Sequence, residues 1–550
     1  MSRIRRWPVL IALAGLVLLG VILFNLLSRQ PTVEVPDVGG TFTEAVVGRA
    51  RVLSPLFAQS DVEKDLVFHL FRGLTRADVS GATVPDVATG WTISPDKLSY
   101  TFTLRNDVAW SDGVPVTAED VLFTIKTLQD PAFTGDADMA ALWKNIAVEV
   151  VDDHTVRFIL AEPYAPFLDQ TTVGLLPAHV LKDVPVAQMA ANAFSAQPVG
   201  NGPFKVEKLD EASANLVPNP YDAGRRPYLS RLIFRFFPDR ASALAAFNHK
   251  EVMGVGQIPP GDLPKLTAGA LYSSARPIFT AIYLDLNNPL FQDRAVRQAL
   301  LTGLDREALV RQALYGQALV TDSPVIVNSW AYNAQTHHYT YNLDQARAFL
   351  DNAGWRDTNG DGIRDRDGRP FEFKLTTTDE PTRVAVANMI AEQWKGLGIK
   401  VNVNVVTPTA FQDNYLKPRN FDTILYGWNT PDSDPDPYTQ WHSTQIKGGQ
   451  NYSGWVNKDA DRILEDARHT PDAAARAALY RDFQTLFAQE LPALLLYHGI
   501  YEYAVDSQVR NVQVGSVLLD PHDRLQTVQQ WYLHTRPSDT GLLSFFTNQR

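Results

Sequence analysis

Residues 96–124 read DKLSYTFTLRNDVAWSDGVPVTAEDVLFT, and this stretch decides the fold. Apolar and polar residues alternate over 99–104, which is the period of two expected for a half-buried strand. The dipeptide Asp112-Gly113 supplies turn chemistry, because Asp tolerates the turn and Gly adopts positive φ without steric cost. Thr117 and Asp120 then have the spacing of a capping box, directly before an apolar run. The stretch therefore predicts a strand, a turn and a capped helix.

The same order of residue types resembles the signature segment of the family 5 extracellular solute-binding proteins. These are the dipeptide and oligopeptide receptors of ABC importers, in which the segment is a framework element that does not itself bind ligand. Further matches follow in family order, among them Phe71-Arg72-Gly73-Leu74 and Gly200-Asn201-Gly202-Pro203-Phe204, where the family has Gly-Thr-Gly-Pro-Tyr. The resemblance covers about residues 41–533.

Composition excludes several classes of protein. The chain has 550 residues, which is too many for one hydrophobic core and predicts two or three domains. A net charge of −11 argues against nucleic-acid binding, because phosphate recognition needs a basic face. The chain contains no cysteine, which excludes disulfides, thiolate metal sites and thiol nucleophiles. It also excludes lipidation on an N-terminal cysteine, a modification that many members of the resembled family carry.

The N-terminus carries a candidate membrane anchor. Arg3, Arg5 and Arg6 precede the apolar run Val9–Leu27, in which Asn25 is the only polar residue. At about 1.5 Å per residue this run spans roughly 28 Å as a helix, close to the thickness of the hydrocarbon layer. The arginines place the N-terminus inside. A cleaved signal peptide is the alternative, but it needs a shorter apolar core and a later small-x-small site than 12–14. Both readings put residues 31–550 outside the cytoplasm.

The resemblance implies an α/β, two-lobed periplasmic-binding-protein-like fold of type II, with an extra subdomain, behind an N-terminal transmembrane helix. The predicted parts are a cytoplasmic basic segment 1–8, a signal anchor 9–27, a linker 28–40, lobe 1 with the extra subdomain 41–280, lobe 2 281–495, a return to lobe 1 496–535, and a tail 536–550. Within lobe 2, a strand over 371–376, a helix over 381–395 and an alternating strand over 399–406 predict a β-α-β unit.

The loop that begins at Gly427 is the predicted ligand-binding segment. It reads GWNTPDSDPDPY and collects aromatic, acidic and proline residues just after a strand. Ligands bind at the carboxyl ends of strands in open α/β folds, and an aromatic wall beside a carboxylate suits an ammonium group. The resemblance implies an aspartate for a peptide's amino group, but the usual position falls on Pro431, with Asp432 one residue later. The predicted ligand-binding residues are Trp428, Asn429, Asp432, Asp434 and, in a second loop, Trp330. A solvated turn is the alternative.

A second acidic loop runs over 357–365 as DTNGDGIRD. It fits the start of a calcium-binding loop, with candidate ligands Asp357, Asn359, Asp361 and Asp365. Position 12 is Gly368 instead of Glu, so the bidentate ligand is missing. A structural Ca²⁺ site and a plain hairpin of Asx turns both remain open, and no cofactor is required.

The sequence contains none of the G-x-S-x-G, P-loop, H-E-x-x-H or G-x-G-x-x-G motifs, so no enzyme activity is predicted. The resemblance implies an extracellular, monomeric receptor that captures peptide-like solutes between its lobes and delivers them to an ABC permease. Three alternatives stay open: a receptor for oligosaccharides or another solute such as a metal chelate, a tethered sensory receptor, and, as the most remote, an extracellular hydrolase.

Overall fold

The computed structural model describes residues 7–28, 34–79, 81–222, 224, 226–429 and 434–537. The strands before residue 260 are β1 (Glu34–Asp37), β2 (Thr41–Val47), β3 (Thr75–Ala77), β4 (Thr83–Pro85), β5 (Ala88–Ile93), β6 (Ser99–Leu104), β7 (Ala147–Asp152), β8 (Thr155–Ile159), β9 (Phe204–Leu209), β10 (Ser213–Pro218), β11 (Arg231–Phe237) and β12 (Gly254–Val255). The strands after it are β13 (Ala270–Leu284), β14 (Ala318–Val320), β15 (Asp365–Arg366), β16 (Arg369–Pro370), β17 (Glu372–Thr378), β18 (Lys400–Val406), β19 (Thr423–Asn429), β20 (Ala493–Val505) and β21 (His534–Pro537).

The α-helices are distributed over the whole chain. In the first half they are α1 (Trp7–Ser28), α2 (Asp61–Leu70), α3 (Ala118–Gln129), α4 (Ala137–Trp143), α5 (Phe167–Gln170), α6 (Ala178–Leu181), α7 (Val186–Met189) and α8 (Arg240–Asn248). In the second half they are α9 (Arg294–Thr302), α10 (Arg306–Ala313), α11 (Leu343–Asn352), α12 (Pro381–Lys395), α13 (Pro408–Ala410), α14 (Tyr438–Trp441), α15 (Lys458–Arg468) and α16 (Ala473–Glu490).

The segment that opened the sequence analysis folds as its pattern predicts. It forms β6, a turn at Gly113 with φ +92°, and α3, which begins with a capping box between Thr117 and Asp120. The Trp110 ring is fully buried, and its indole N–H donates to the Asp120 carboxylate at 3.2 Å. Asp120 therefore fixes both the helix start and the turn before it, which explains why this segment is a framework element.

Two lobes share one long sheet. Its strand order is β18-β17-β19-β13-β20-β12-β2-β11-β10-β9, with β14 also paired to β20. One lobe is built around the buried side chains of 42–258 together with 501–531, and the other around those of 279–497. The first lobe also carries a separate four-stranded sheet in the order β5-β6-β8-β7. The α/β two-lobed architecture is thus confirmed, whereas the finer domain bounds stay predictions.

Strands β13 and β20 carry the chain between the lobes. They are antiparallel and pair from Ala270–Val505 at one end to Tyr283–Ala493 at the other. The register shifts between Ala275 and Phe279, and again after Thr280. Bulges of this kind bend a strand and break its ladder locally. This part of the sheet, which lies between the two cores, is the hinge.

The N-terminal segment differs from the sequence prediction. Pro31–Gly40 reads as a linker, but β1 pairs with β21 in antiparallel register, from Glu34–Pro537 to Asp37–His534. Gly39 donates its N–H to the Tyr228 carbonyl at 2.8 Å, so the docking continues beyond the strand. Residues 34–40 are therefore part of the folded body. The sequence pattern does not predict this strand pairing, because the partner strand lies about 500 residues away in the chain and neither strand is apolar.

The predicted membrane anchor falls on α1, which extends over Trp7–Ser28. Across the residues that the structure describes, no helix has both the length and the apolar character needed for a membrane crossing. The predicted tail from residue 536 contains the end of β21, and residues 538–550 lie outside the described part of the chain.

Candidate functional site

The carboxyl ends of the parallel strands in both lobes point at the hinge. In the first lobe β2 and β12 are parallel to each other, and β12 is antiparallel to β20. In the second lobe β17, β18 and β19 are parallel, and β19 is antiparallel to β13. Because β20 runs from the second lobe into the first and β13 runs the other way, each parallel set ends at the gap between the lobes. Ligands bind at such carboxyl ends in open α/β sheets.

The first-lobe side of this gap contains a recess of about 560 Å³ of open space. Polar groups on three elements line it in a hydrogen-bonded chain: Arg240 donates to the Gln257 side-chain oxygen at 2.9 Å, and the Gln257 amide donates to Asp61 at 2.9 Å. Tyr501 of β20 also lines the recess. The lining is mixed, with apolar side chains such as Val46 and Leu244 beside charged ones that include the buried Asp65 and Arg524.

The second-lobe side presents Arg383, in the first turn of α12 directly after β17. Its guanidinium donates to the Thr378 hydroxyl at 3.1 Å and lies 5.0 Å from the centre of the Tyr426 ring. Arg383 lies against the end of β19, since a Cβ at Gly427 would be in van der Waals contact with its guanidinium at 3.6 Å. Within the described residues, no carboxylate forms an ion pair with Arg383.

The first-lobe recess and Arg383 of the second lobe lie on the same face of β20. Burial raises the pKa of Tyr497, and the nearby positive charge of Arg383 opposes that rise. Tyr501, in the first-lobe recess, follows four residues later and therefore points to the same face, roughly 13 Å along the strand.

Two predicted ligand residues lie where β19 meets the hinge. Trp428 pairs with Phe279 of β13 and is half-buried, with its ring 5.5 Å from the Tyr452 ring. Asn429 is exposed at the end of β19, opposite Ile278. Their position suits ligand contact, which stays a prediction. Asp432 lies outside the described residues.

The other two predicted residues, Asp434 and Trp330, belong to an internal network. The Asp434 carboxylate forms an ion pair with Arg476 at 2.7 Å and accepts from the Tyr480 hydroxyl at 2.6 Å. Burial raises the pKa of Asp434 to about 6, against the lowering effect of Arg476. The Trp330 ring lies 5.0 Å from the Arg476 guanidinium and 5.8 Å from the Tyr480 ring. Because the Asp434 oxygens are bound to these groups, the carboxylate serves the loop's own structure; ligand contact at Trp330 stays a prediction.

Comparison with known proteins agrees with this geometry. Residues 82–450 match the model of the bacterial extracellular solute-binding proteins, family 5, middle region. The chain belongs to this family. It is 29% identical over 527 residues to the oligopeptide-binding protein AppA of Bacillus subtilis, covering 92% of this chain and 94% of that protein. It is 27% identical over 462 residues to the dipeptide-binding protein of Escherichia coli, covering 78% and 84% of the two chains.

Solved structures of the family show the same architecture. AppA of Bacillus subtilis in complex with a nonapeptide matches with a TM-score of 0.69 at 28% identity, over 91% of this chain and 100% of that one. NikZ of Campylobacter jejuni in complex with Ni(L-His) matches with a TM-score of 0.70 at 26% identity, over 90% and 99% of the two chains.

In the acidic loop 357–365 of this family 5 protein, the side-chain oxygens accept hydrogen bonds from other groups of the same loop. Asp357 accepts from the N–H groups of Gly360 at 2.7 Å and Gly362 at 3.0 Å, and Asp361 accepts from Ile363 at 2.8 Å. Both Asp365 oxygens accept from Thr358, and Asn359 accepts from the backbone of Asp361. In the described part of the chain, no group of three or more acidic or histidine side chains is arranged to hold a metal ion. These contacts are Asx turns; the calcium site itself stays a prediction.

Sequence reasoning missed Arg383, Gln257 and Asp61. Arg383 follows Pro381, which marks the first turn of α12, and that turn directly follows the threonine-rich end of β17. A helix start at a strand's carboxyl end is a recognisable signal for a binding residue. Gln257 and Asp61 carry no such signal, since they meet across nearly two hundred residues of chain.

Proposed function

We propose that this family 5 protein is the receptor of an ABC importer, which captures peptides between its two lobes and delivers them to a membrane permease. The observation that carries the proposal is the convergence of both sets of parallel strands on one gap, with Arg383 facing it. Support also comes from relatives that are named oligopeptide- and dipeptide-binding proteins. A receptor that binds and releases its solute unchanged needs no catalytic group.

Arg383 is the proposed anchor for a peptide's terminal carboxylate. A guanidinium forms two parallel hydrogen bonds with a carboxylate, and its charge here has no ion-pair partner in the described residues. The Tyr426 ring supports one face of the guanidinium, so less side-chain freedom is lost on binding. Trp428, Asn429 and Asp432 are further proposed ligand contacts, with Asp432 proposed for the amino group; Trp428 lies on the same side as Arg383, because its ring is 6.1 Å from the Tyr426 ring.

The remaining length of a peptide would be held through its main chain. The loop ends of β2, β12 and β19 present backbone groups at the gap, and an extended peptide pairs with such groups regardless of its side chains. The recess beside Gln257 offers room for one side chain. This arrangement favours recognition of peptides by length and ends over recognition by sequence.

The proposal is tested with the full-length chain by calorimetric titration against pools of di-, tri-, penta- and nonapeptides, each with a free or an amidated C-terminus. We expect at least one free-acid pool to bind. Amidation should weaken its affinity by roughly 10–100-fold, because a hydrogen bond to a charged group contributes about 1.5–3 kcal/mol. Arg383→Ala should weaken the free-acid peptide equally and abolish the discrimination between the two forms.

Arg347→Ala is the matched control, because Arg347 is a second-lobe arginine whose side chain, within the described residues, donates to Asp344 and to the Gly396 carbonyl. It should bind like the unmodified chain. Binding of oligosaccharides and of no peptide pool would replace peptide by sugar as the solute. Equal binding of free-acid and amidated peptides would remove Arg383 from the site while leaving the peptide receptor in place.

Attachment to the membrane through the N-terminal helix is also part of the proposal, with the folded body outside the cytoplasm. Support comes from the sequence, in which the uncharged apolar run Val9–Leu27 follows Arg3, Arg5 and Arg6. N-terminal sequencing of the native protein checks this. A start near residue 30 would show cleavage and remove the anchor.

A further inference from the structure

An arginine without a partner lies in the hinge. Strand β13 bulges between Ala275 and Phe279, and Arg276 is the first residue of this bulge. Its side chain is half-buried, and within the described residues its buried Nε atom has no hydrogen-bond partner and its guanidinium forms no ion pair. By contrast, the buried Arg306 donates to three backbone carbonyls and pairs with Asp322 at 2.8 Å. A buried donor without a partner costs stability, so Arg276 needs another explanation.

The bulge faces the gap between the lobes. On its first-lobe side, Ala275 exchanges backbone hydrogen bonds of 2.9 and 3.0 Å with the segment 516–518. On its second-lobe side, Ile278 lies opposite Asn429, the last residue of β19. The neighbour of β13 along this edge therefore changes from one lobe to the other within the bulge. Bulges re-aim side chains and are common beside binding sites.

Asp523 and Tyr501 are groups on which the charge of Arg276 acts. Burial raises the pKa of both, and the positive charge of Arg276 opposes both rises. Asp523 already has other partners, since it accepts from the Asp520 N–H at 2.8 Å and lies 3.7 Å from a ring nitrogen of His522. Arg276 therefore lies towards the first-lobe wall of the gap, where Tyr501 lines the recess.

A second cation lies at the other end of the bulge. A Cβ at Gly427 would be 3.6 Å from the Arg383 guanidinium and also 3.6 Å from the Ile278 side chain, so Arg383 is close to the point where the bulge ends. Two residues of backbone, at most about 7 Å, separate Ile278 from Arg276. Like charges at one gap repel each other, and this repulsion is relieved when each binds an anionic group.

We propose that Arg276 binds a second carboxylate of the solute, so that the protein prefers peptides with Asp or Glu as one of the last two residues. Arg383 then binds the terminal carboxylate, and Arg276 binds the side-chain carboxylate. One residue of an extended peptide adds about 3.3 Å, so these two carboxylates fit the short distance along the bulge. The inference rests on the proposed function, to which it adds one side-chain preference.

The experiment compares Glu with Gln at the last and at the next-to-last position of otherwise identical peptides, in a length that the full-length chain binds. In calorimetric titration the Glu peptide should bind about 10–100-fold more tightly than the Gln peptide at one of the two positions, because hydrogen bonds to charged groups are strong. Arg276→Met should remove this difference but keep the loss of affinity on amidation of the C-terminus, and Arg276→Lys should restore part of the difference. Arg235→Met is the matched control, because Arg235 is a first-lobe arginine that pairs with Glu251 at 2.9 Å.

A measurement of stability separates this role from a structural one and needs no solute. Replacement of an arginine that stabilises the fold lowers the midpoint of thermal unfolding, whereas replacement of an unpaired one does not. We therefore expect the midpoint of Arg276→Met to equal or exceed that of the unmodified chain. A midpoint lowered by more than about 2 °C, or equal affinity for Glu and Gln peptides at both positions, would overturn the proposal.

Failure of every peptide pool would remove the proposed function without deciding this inference, which is then tested with succinate against the neutral succinamide. Binding of succinate alone, and its loss in Arg276→Met but not in Arg235→Met, would support a carboxylate site at Arg276. Succinate that binds no better than succinamide would overturn it.

Discussion

Replacement of Arg524 by Met should destabilise the first lobe strongly, and more at high pH than at low pH. Arg524 is almost fully buried and contacts two buried carboxylates: Glu44 at 2.9 Å, and Asp65 at 2.8 and 2.7 Å. Glu44 also accepts from the Tyr503 hydroxyl at 2.9 Å. This group ties the segment after β20 to β2 and α2.

The expected loss of stability follows from the two carboxylates that remain buried in the variant. Removal of one partner of a buried ion pair typically costs about 3–5 kcal/mol, because the other charge stays buried and uncompensated. Here two carboxylates lose the same partner, so the upper part of that range applies. At about 2 °C per kcal/mol for a lobe of this size, the upper part of the range lowers the midpoint of its thermal transition by roughly 8–10 °C.

The pH dependence has a definite sign. Burial raises the pKa of Glu44 in the folded protein above its ordinary value, although Arg524 opposes the rise. Without Arg524 the pKa rises further, so the folded variant binds a proton that the unfolded chain releases above pH ~4.5. Stability of the variant is therefore retained at low pH and lost as the pH rises through the folded-state pKa.

Thermal and urea unfolding at pH 5 and pH 8 check both the size of the destabilisation and its dependence on pH. Arg231→Ala, which removes an exposed ion pair from the same lobe, should change little. The triple variant Glu44→Leu, Asp65→Leu, Arg524→Met should recover much of the loss, since apolar side chains can replace a buried ionic group. A midpoint for Arg524→Met within 2 °C of the unmodified chain, or an equal loss at both pH values, would refute the reasoning.

Two further predictions concern single sites. Burial would raise the pKa of Glu63, but the net shift is downward because its carboxylate accepts hydrogen bonds from the backbone N–H groups of Arg51, Val52, Gln59 and Ser60. In urea unfolding, Glu63→Gln should therefore lower the free energy of unfolding by about 1–3 kcal/mol at pH 7 and by progressively less as the pH falls below ~4.5, and a loss that does not vary with pH would contradict this. For the acidic loop, the calcium hypothesis predicts that about 1 mM Ca²⁺ raises the unfolding temperature of the unmodified chain but not of Asp361→Ala, whereas the Asx-turn alternative predicts no change in either.

Local patterns predicted much of the fold because many elements carry their own start and stop signals. The helix over Pro381–Lys395 has the predicted bounds, and the predicted capping box of Thr117 and Asp120 opens α3. The predicted β-α-β unit is confirmed by the parallel pairing of β17 and β18. Each of these signals lies within about a dozen residues of the element that it defines.

The hinge strands show the opposite case. Strand β13 begins at Ala270, and its first half has no alternation of apolar and polar residues. Its first half contains Ser273 and Ser274, which look like loop residues but donate to Glu502 and to the Gly515 carbonyl, both at 2.6 Å. Polar residues that find partners more than 200 positions away leave no local pattern.

The candidate site was predicted only in part. The loop after β19 was identified because aromatic and acidic residues cluster there, and Trp428 and Asn429 do lie at the hinge. The same clustering suggested Asp434, whose carboxylate instead binds Arg476 and Tyr480 inside its lobe. Composition can show that a loop is unusual, but it cannot distinguish an acid that faces a ligand from one that holds the loop in shape.

The pairing of β1 with β21 determines where the protein can be cut for work in solution. A fragment that starts at residue 38 or later lacks β1 and leaves β21 as an exposed edge with unpaired backbone groups, which invites association between molecules. A fragment that starts at Pro31 retains both strands and omits the apolar helix. Since Glu34 lies opposite Pro537, the described parts of both ends of the folded body meet in one two-stranded sheet.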